Sequence, residues 1–165
     1  MVNLKNEAAK AVATFSSVES FSKSLPKTKV VLNQAVADLY TARIALHQVH
    51  WYMRGAGFMV WHPKMDEYME SLDTTLGGTP YSTLSEFIQH SNIEEKEGKF
   101  SKNVAESLER VIEIFRYLVG LDQKALDVTD EEGDDVTNDI FVGAKAELEK
   151  NIWMLTVEIG QTPGL

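Results

Sequence analysis

The sequence contains no cysteine. That absence removes disulfides, thiolate nucleophiles, thiol redox sensing and cysteine-held zinc or iron–sulfur centres, so any metal ligands must be His, Asp or Glu. Positive charge is scarce as well: 16 Lys and Arg stand against 25 Asp and Glu, a formal net charge of -9. The field around such a chain repels phosphate backbones and draws cations, which disfavours DNA as a partner and favours cation handling. No apolar run is long enough to cross a bilayer, and the opening MVNLKNEAAKAVATF lacks the continuous apolar core of a secretory signal. These absences predict a soluble, cytoplasmic chain with no membrane partner. What is abundant is apolar: 44% of the 165 residues are hydrophobic, enough for one domain with a real core.

The stretch HQVHWYMRGAGFMVWHPKMD, His47 to Asp66, concentrates the chemistry. It places His50 near the end of one helix, a corner at Gly55 and Gly57, and then His62 and Asp66 one turn apart on the next helix. Imidazole with carboxylate suits iron or zinc. For His50 alone an interface histidine held by a hydrogen bond is as good a reading, and the pair on the next helix tips the balance toward a metal.

Along the rest of the chain, residues 1 to 24 mix small, polar and lysine residues and read as a mobile tail, with residues 25 to 165 as the folded domain. Leu32, Ala35, Leu39, Ala42, Leu46, Val49 and Met53 step by threes and fours, the seam of a first long helix that opens at Pro26. The pair His62-Pro63 reads as the opening of a second helix, which Gly77, Gly78 and Pro80 end early. On it His62, Asp66, Glu70 and Asp73 form one polar stripe, for which a solvated face is the simpler reading of Glu70 and Asp73. Thr83 to Glu86 is a capping-box pattern, so LSEFIQH is a short helix in the connection, with His90 exposed at its end. Val104, Leu108, Val111, Phe115, Leu118 and Ala125 mark a third long helix, and Phe141, Ala144, Leu148, Ile152, Leu155 and Ile159 a fourth. Trp153 lies beside the last seam as an interface or core aromatic.

Between those helices runs DVTDEEGDDVTND, Asp127 to Asp139. A calcium loop around Gly133 fails, because its opening position would be Val128 and its closing Glu would be Asp139. In a monomer this is a solvated, helix-capping turn; in a symmetric oligomer the same acids ring an axis and pass cations. Four long helices with a short helix in the second connection give an all-α, ferritin-like four-helix bundle. A di-iron site inside the bundle needs Glu-x-x-His on two helices, and no histidine here has a Glu three residues before it.

LNQAVADL, HQVHWYMRGAGF, HPKMDEYMESLD, GGTPYSTLSEF, DEEGDDVTNDIF and AELEKNIWML together resemble the Dps family of mini-ferritins, and most of all its Dpr-type peroxide-resistance members. The resemblance runs from about Lys29 to the C-terminus. It implies a hollow homo-dodecamer that oxidises iron(II), preferably with hydrogen peroxide, at sites between two-fold-related subunits and stores iron(III) mineral inside. On that resemblance His50, His62 and Asp66 are one subunit's contribution to the ferroxidase site, and Trp51 is the aromatic beside it. Asp130, Asp135 and Asp139 match the acids that line the three-fold pores through which iron passes. Zinc and manganese compete for such ligands.

The chain also departs from the family. Members continue the second helix past MESLD into a segment resembling DEVSER, whose Asp and Glu complete the site from the opposite subunit. Here LDTT runs directly into LGG. The shortfall is about ten residues, or about 15 Å of helix. Glu70 or Asp73 is then the only local substitute. Two other functions stay open beside ferroxidase: a passive iron-binding cage with impaired oxidation, and a DNA-compacting protein acting through the lysines of its tail.

Overall fold

The computed structural model describes residues 25–71, 81, 83–99 and 103–163. The expected tail (1–24), the Glu70 side chain, Asp73, the LDTT–LGG junction with its glycines and Pro80, and Phe100 lie outside those residues. Five helices organise the described part: α1 (Pro26–Tyr52), α2 (Phe58–Ser71), the short α3 (Leu84–His90), α4 (Val104–Glu132) and α5 (Asp135–Glu158). This is the all-α four-helix bundle with a short connecting helix that the spacing predicts. α4 packs against both α1 and α5, while α2 and α3 pack on α1.

The seams meet as their steps require. Leu32, Ala35, Ala42, Leu46 and Val49 of α1, with Met53 just beyond it, are buried in one core with Leu108, Val111, Phe115, Leu118 and Ala125 of α4 and Leu148, Ile152 and Leu155 of α5, with Leu39 at the margin. Each large side chain so buried contributes about 1.5–3 kcal/mol. Trp153 is 54% exposed, so in this chain it is no core residue.

Helix ends decide where the polar groups go. Leu25 offers no side-chain cap to α1. The free amides of Lys27 and Thr28 instead donate to Glu132 Oε1 and Oε2, at 3.0 and 2.8 Å. A carboxylate from the end of α4 thus caps the start of α1, and Lys27 pairs with Glu131 beside it. Thr83 and Glu86 close the expected capping box on α3, and Asn103 with Glu106 makes a second one on α4. At the α4–α5 corner Gly133 takes φ 64, the left-handed conformation that glycine adopts without strain.

One boundary differs from expectation. His62-Pro63 does not open α2; the helix begins at Phe58, directly after Gly55 (φ 105) and Gly57 (φ 88), and Pro63 lies inside it. The two positive-φ glycines turn the chain tightly enough for Phe58 N to donate to Gly55 O at 3.1 Å, which starts the helix a turn early. Pro63 then removes one amide from the second turn, a loss that burial of Trp61, Met65, Tyr68 and Met69 offsets.

Candidate metal-handling site

α1 ends where Met53 turns extended, and its last hydrogen bond runs from Met53 N to Val49 O at 3.0 Å. The next carbonyl, that of His50, therefore has no helical donor. α2, brought back by the glycine corner, supplies one: His62 Nδ1 lies 2.9 Å from His50 O. A carbonyl can only accept, so Nδ1 carries the proton. The two imidazole rings lie against each other at a tilt of 33°, with centroids 3.7 Å apart. One turn further along α2, Asp66 Oδ1 stands 3.3 Å from His50 Nδ1. The His50 side chain is 14% exposed and that of Asp66 58% exposed, so the pair runs from a sheltered imidazole to a carboxylate open to solvent.

Of the three predicted ligands, His50 is thus in contact with both His62 and Asp66, but they do not enclose a common point. Among the described residues no group of three or more His, Cys, Asp or Glu is placed to hold a metal ion. What they offer is an open cluster of imidazole and carboxylate. Trp51, beside His50, is exposed and stacks on His47, with ring centroids 5.1 Å apart.

Two residues that the ligand pattern passes over also shape this corner. Phe58 stacks on the other face of His62 at 4.7 Å, and Trp61 donates from Nε1 to Glu158 Oε1 at 3.1 Å, tying α2 to the end of α5. The Phe58–His62 pair has i, i+4 spacing, so a correctly placed helix start would have exposed it. The Trp61 partner is 97 positions away and has no local signal.

The proposed pore acids lie together around the α4–α5 corner, with Asp130 on the last turn of α4 and Asp135 and Asp139 on α5. All three are exposed. His90 is exposed at the end of α3 and stacks on Tyr81, as a surface residue would. Among the described residues no helix is long and apolar enough to cross a membrane.

A four-helix bundle of this order, with a short helix in its second long connection, defines a ferritin-like protein. The sequence profile of the ferritin-like domain matches residues 30–165. More narrowly, the chain belongs to the DNA protection during starvation proteins, the Dps mini-ferritins. It is 58% identical to the Streptococcus suis (strain P1/7) protein of that name, across 90% of this chain and 93% of the relative. It is 37% identical to the Listeria innocua one, across 82% and 94%. The X-ray structure of Dps from Listeria monocytogenes superposes with TM-score 0.77 at 36% identity, covering 82% of this chain and 95% of that one.

Proposed function

We propose that this protein is a Dpr-type iron store and ferroxidase that removes iron(II) and hydrogen peroxide together. Membership of the family supports homo-oligomeric assembly and a general role in iron storage and protection against oxidation. The finer reading is a hollow dodecamer in which His50, His62 and Asp66 form one subunit's half of a site shared across a two-fold axis. The contact of His50 with both His62 and Asp66 carries it.

The chemistry asks little of the protein beyond placement. Iron(II) is the substrate, and imidazole nitrogen with one carboxylate binds it without forbidding its oxidation. Each peroxide takes one electron from each of two iron(II) ions and, with two protons, leaves as two waters. The iron(III) product hydrolyses to mineral in the cavity. Asp66, exposed and anionic, offsets the charge gained by the metal, and Trp51 lies beside the site. Asp130, Asp135 and Asp139 draw iron through the three-fold pores. Zinc and manganese compete for the same ligands. The chain is cytoplasmic in this reading, and its net charge of -9 favours protecting DNA by removing reactants over coating it.

A second reading has its own observation. Where family members continue the second helix into a segment that supplies the partner carboxylates, LDTT here runs directly into LGG. Without them the half-site holds iron weakly, and the protein is a passive iron-binding cage. Hydrogen peroxide added to anaerobic, iron(II)-loaded protein separates the two. Oxidation well above the rate in buffer, lost in His50→Ala and Asp66→Asn, is the ferroxidase result. Buffer-like oxidation with iron still co-eluting with the oligomer is the cage result.

A further inference from the structure

Within the reading of this corner as an iron site, the two nitrogens of His62 have separate tasks. An α-helix leaves its last carbonyls without donors, and a buried carbonyl left bare is costly. The His50 carbonyl lies in that last turn, and among the described residues no backbone amide donates to it once the chain leaves α1 at Met53. His62 Nδ1 reaches it from the next helix at 2.9 Å. The imidazole also sits at the negative end of the α1 dipole, where an N–H donor is favoured. The ring cannot swing away, since it is packed between His50 at 3.7 Å and Phe58 at 4.7 Å, tilted by 33° and 29° to them.

We infer that His62 closes the C-terminal end of α1 through Nδ1–H and is thereby fixed in the tautomer that bares Nε2 to the metal, with Phe58 as the positioning residue that holds the ring in place. One hydrogen bond does two things. It satisfies the end of a helix, and it chooses the ligating atom before any metal arrives. Metal-binding histidines are ordinarily oriented by a carboxylate or carbonyl on the second nitrogen. Here the carbonyl belongs to the other histidine of the same half-site. The orientations of His50 and His62 are therefore coupled through the backbone: a shift at the end of α1 moves both. A phenyl ring at 58 contributes no ligand, yet it restricts His62 to the plane in which Nδ1 meets the carbonyl.

The test begins on the metal-free, full-length oligomer, with nitrogen-15 in its histidines. The chain has 4 histidines, so removing each in turn assigns the signals. At about pH 8, above the ordinary imidazole range, long-range proton–nitrogen correlations should show His62 as a single species with its proton on Nδ1. A proton on Nε2, or a mixture of tautomers, overturns the inference. Phe58 is then replaced by Leu and by Tyr, and cobalt(II) is titrated as a spectroscopic probe. Phe58→Leu should give mixed His62 tautomers and about tenfold weaker cobalt binding, the usual cost of losing a group that orients a ligand. Phe58→Tyr should keep both properties. If Phe58→Leu keeps the single tautomer and the full affinity, Phe58 is packing alone and its positioning role is overturned. None of these readings depends on iron oxidation, so slow ferroxidase chemistry would count against the proposed function and leave this inference standing.

Discussion

Among the described residues two carboxylates are buried, and they have opposite fates. Asp38 of α1 is wholly buried and fully engaged. Ser91 Oγ and Asn92 N donate to its Oδ1 at 2.8 and 2.7 Å, and Gln34 Nε2 and Tyr117 OH to its Oδ2 at 2.9 and 2.7 Å. Asp122 of α4 is 7% exposed, and its Oδ2 has no hydrogen-bond partner among the described residues. The first gathers α1, α4 and the chain leaving α3 around one anion. The second is an acid held in an apolar seam with only the Lys145 charge to ease it. Burial alone therefore says nothing about what a carboxylate does; the donors around it decide whether it binds the fold together or weakens it.

Breaking the first case should have the larger effect. Asp38→Ala strands four donors at once, and the midpoint of urea unfolding should fall by an amount equivalent to about 3–5 kcal/mol. Asp38→Asn, which keeps acceptor capacity, should recover part of that. The Tyr117 hydroxyl remains a donor throughout the working pH range, because burial, followed by the bond to Asp38, pushes it up to about 12.

The second case should respond in the opposite direction, and with pH. Burial pushes Asp122 from 3.8 up to about 7, against the opposing pull of Lys145. Between those values the folded chain keeps a proton that the unfolded chain has lost. Stability should therefore fall as pH rises from about 4 to about 7 and then level off. Asp122→Asn should flatten that slope and stabilise the protein at about pH 8 by about 1–3 kcal/mol, with little gain at low pH. Unfolding curves at both pH values, wild type against variant, check it; an unchanged slope would show that Asp122 finds a donor in solution.

This contrast also marks what a linear reading can see. Periodicity located α1, α4 and α5 because each seam lies within one helix, and capping boxes are local by nature. Asp38 in QAVADLY looks like any surface acid, since three of its four donors stand 53, 54 and 79 positions away. Glu132, inside the acidic run read as a solvated turn, caps a helix 104 positions earlier. Pro63 misplaced the start of α2 because proline near a helix opening is the commoner case, and the positive φ of Gly57 was the stronger signal. His50, His62 and Asp66 were legible since two adjacent helices and one short corner bring them together. The hydrogen bond that orients His62 was not, because it ends on a backbone atom.

The smallest expected effect lies at the α4–α5 corner, and it separates acids that hold the fold from acids left for solvent. Glu131 and Glu132 are engaged by Lys27 and Thr28, whereas Asp130, Asp135 and Asp139 are exposed. If the exposed three attract iron, replacing all of them by Asn should slow initial iron(II) uptake by several-fold, on the order of 1 kcal/mol in the barrier. The loss should shrink with added salt, and the unfolding midpoint should hardly move. Glu132→Gln should do the reverse: uptake stays unchanged while the midpoint drops slightly, because a neutral amide caps the start of α1 less well. Uptake that falls in both variants in proportion to the charge removed, three against one, would mean that the corner acts through its net charge alone, with no division between structural and conducting acids.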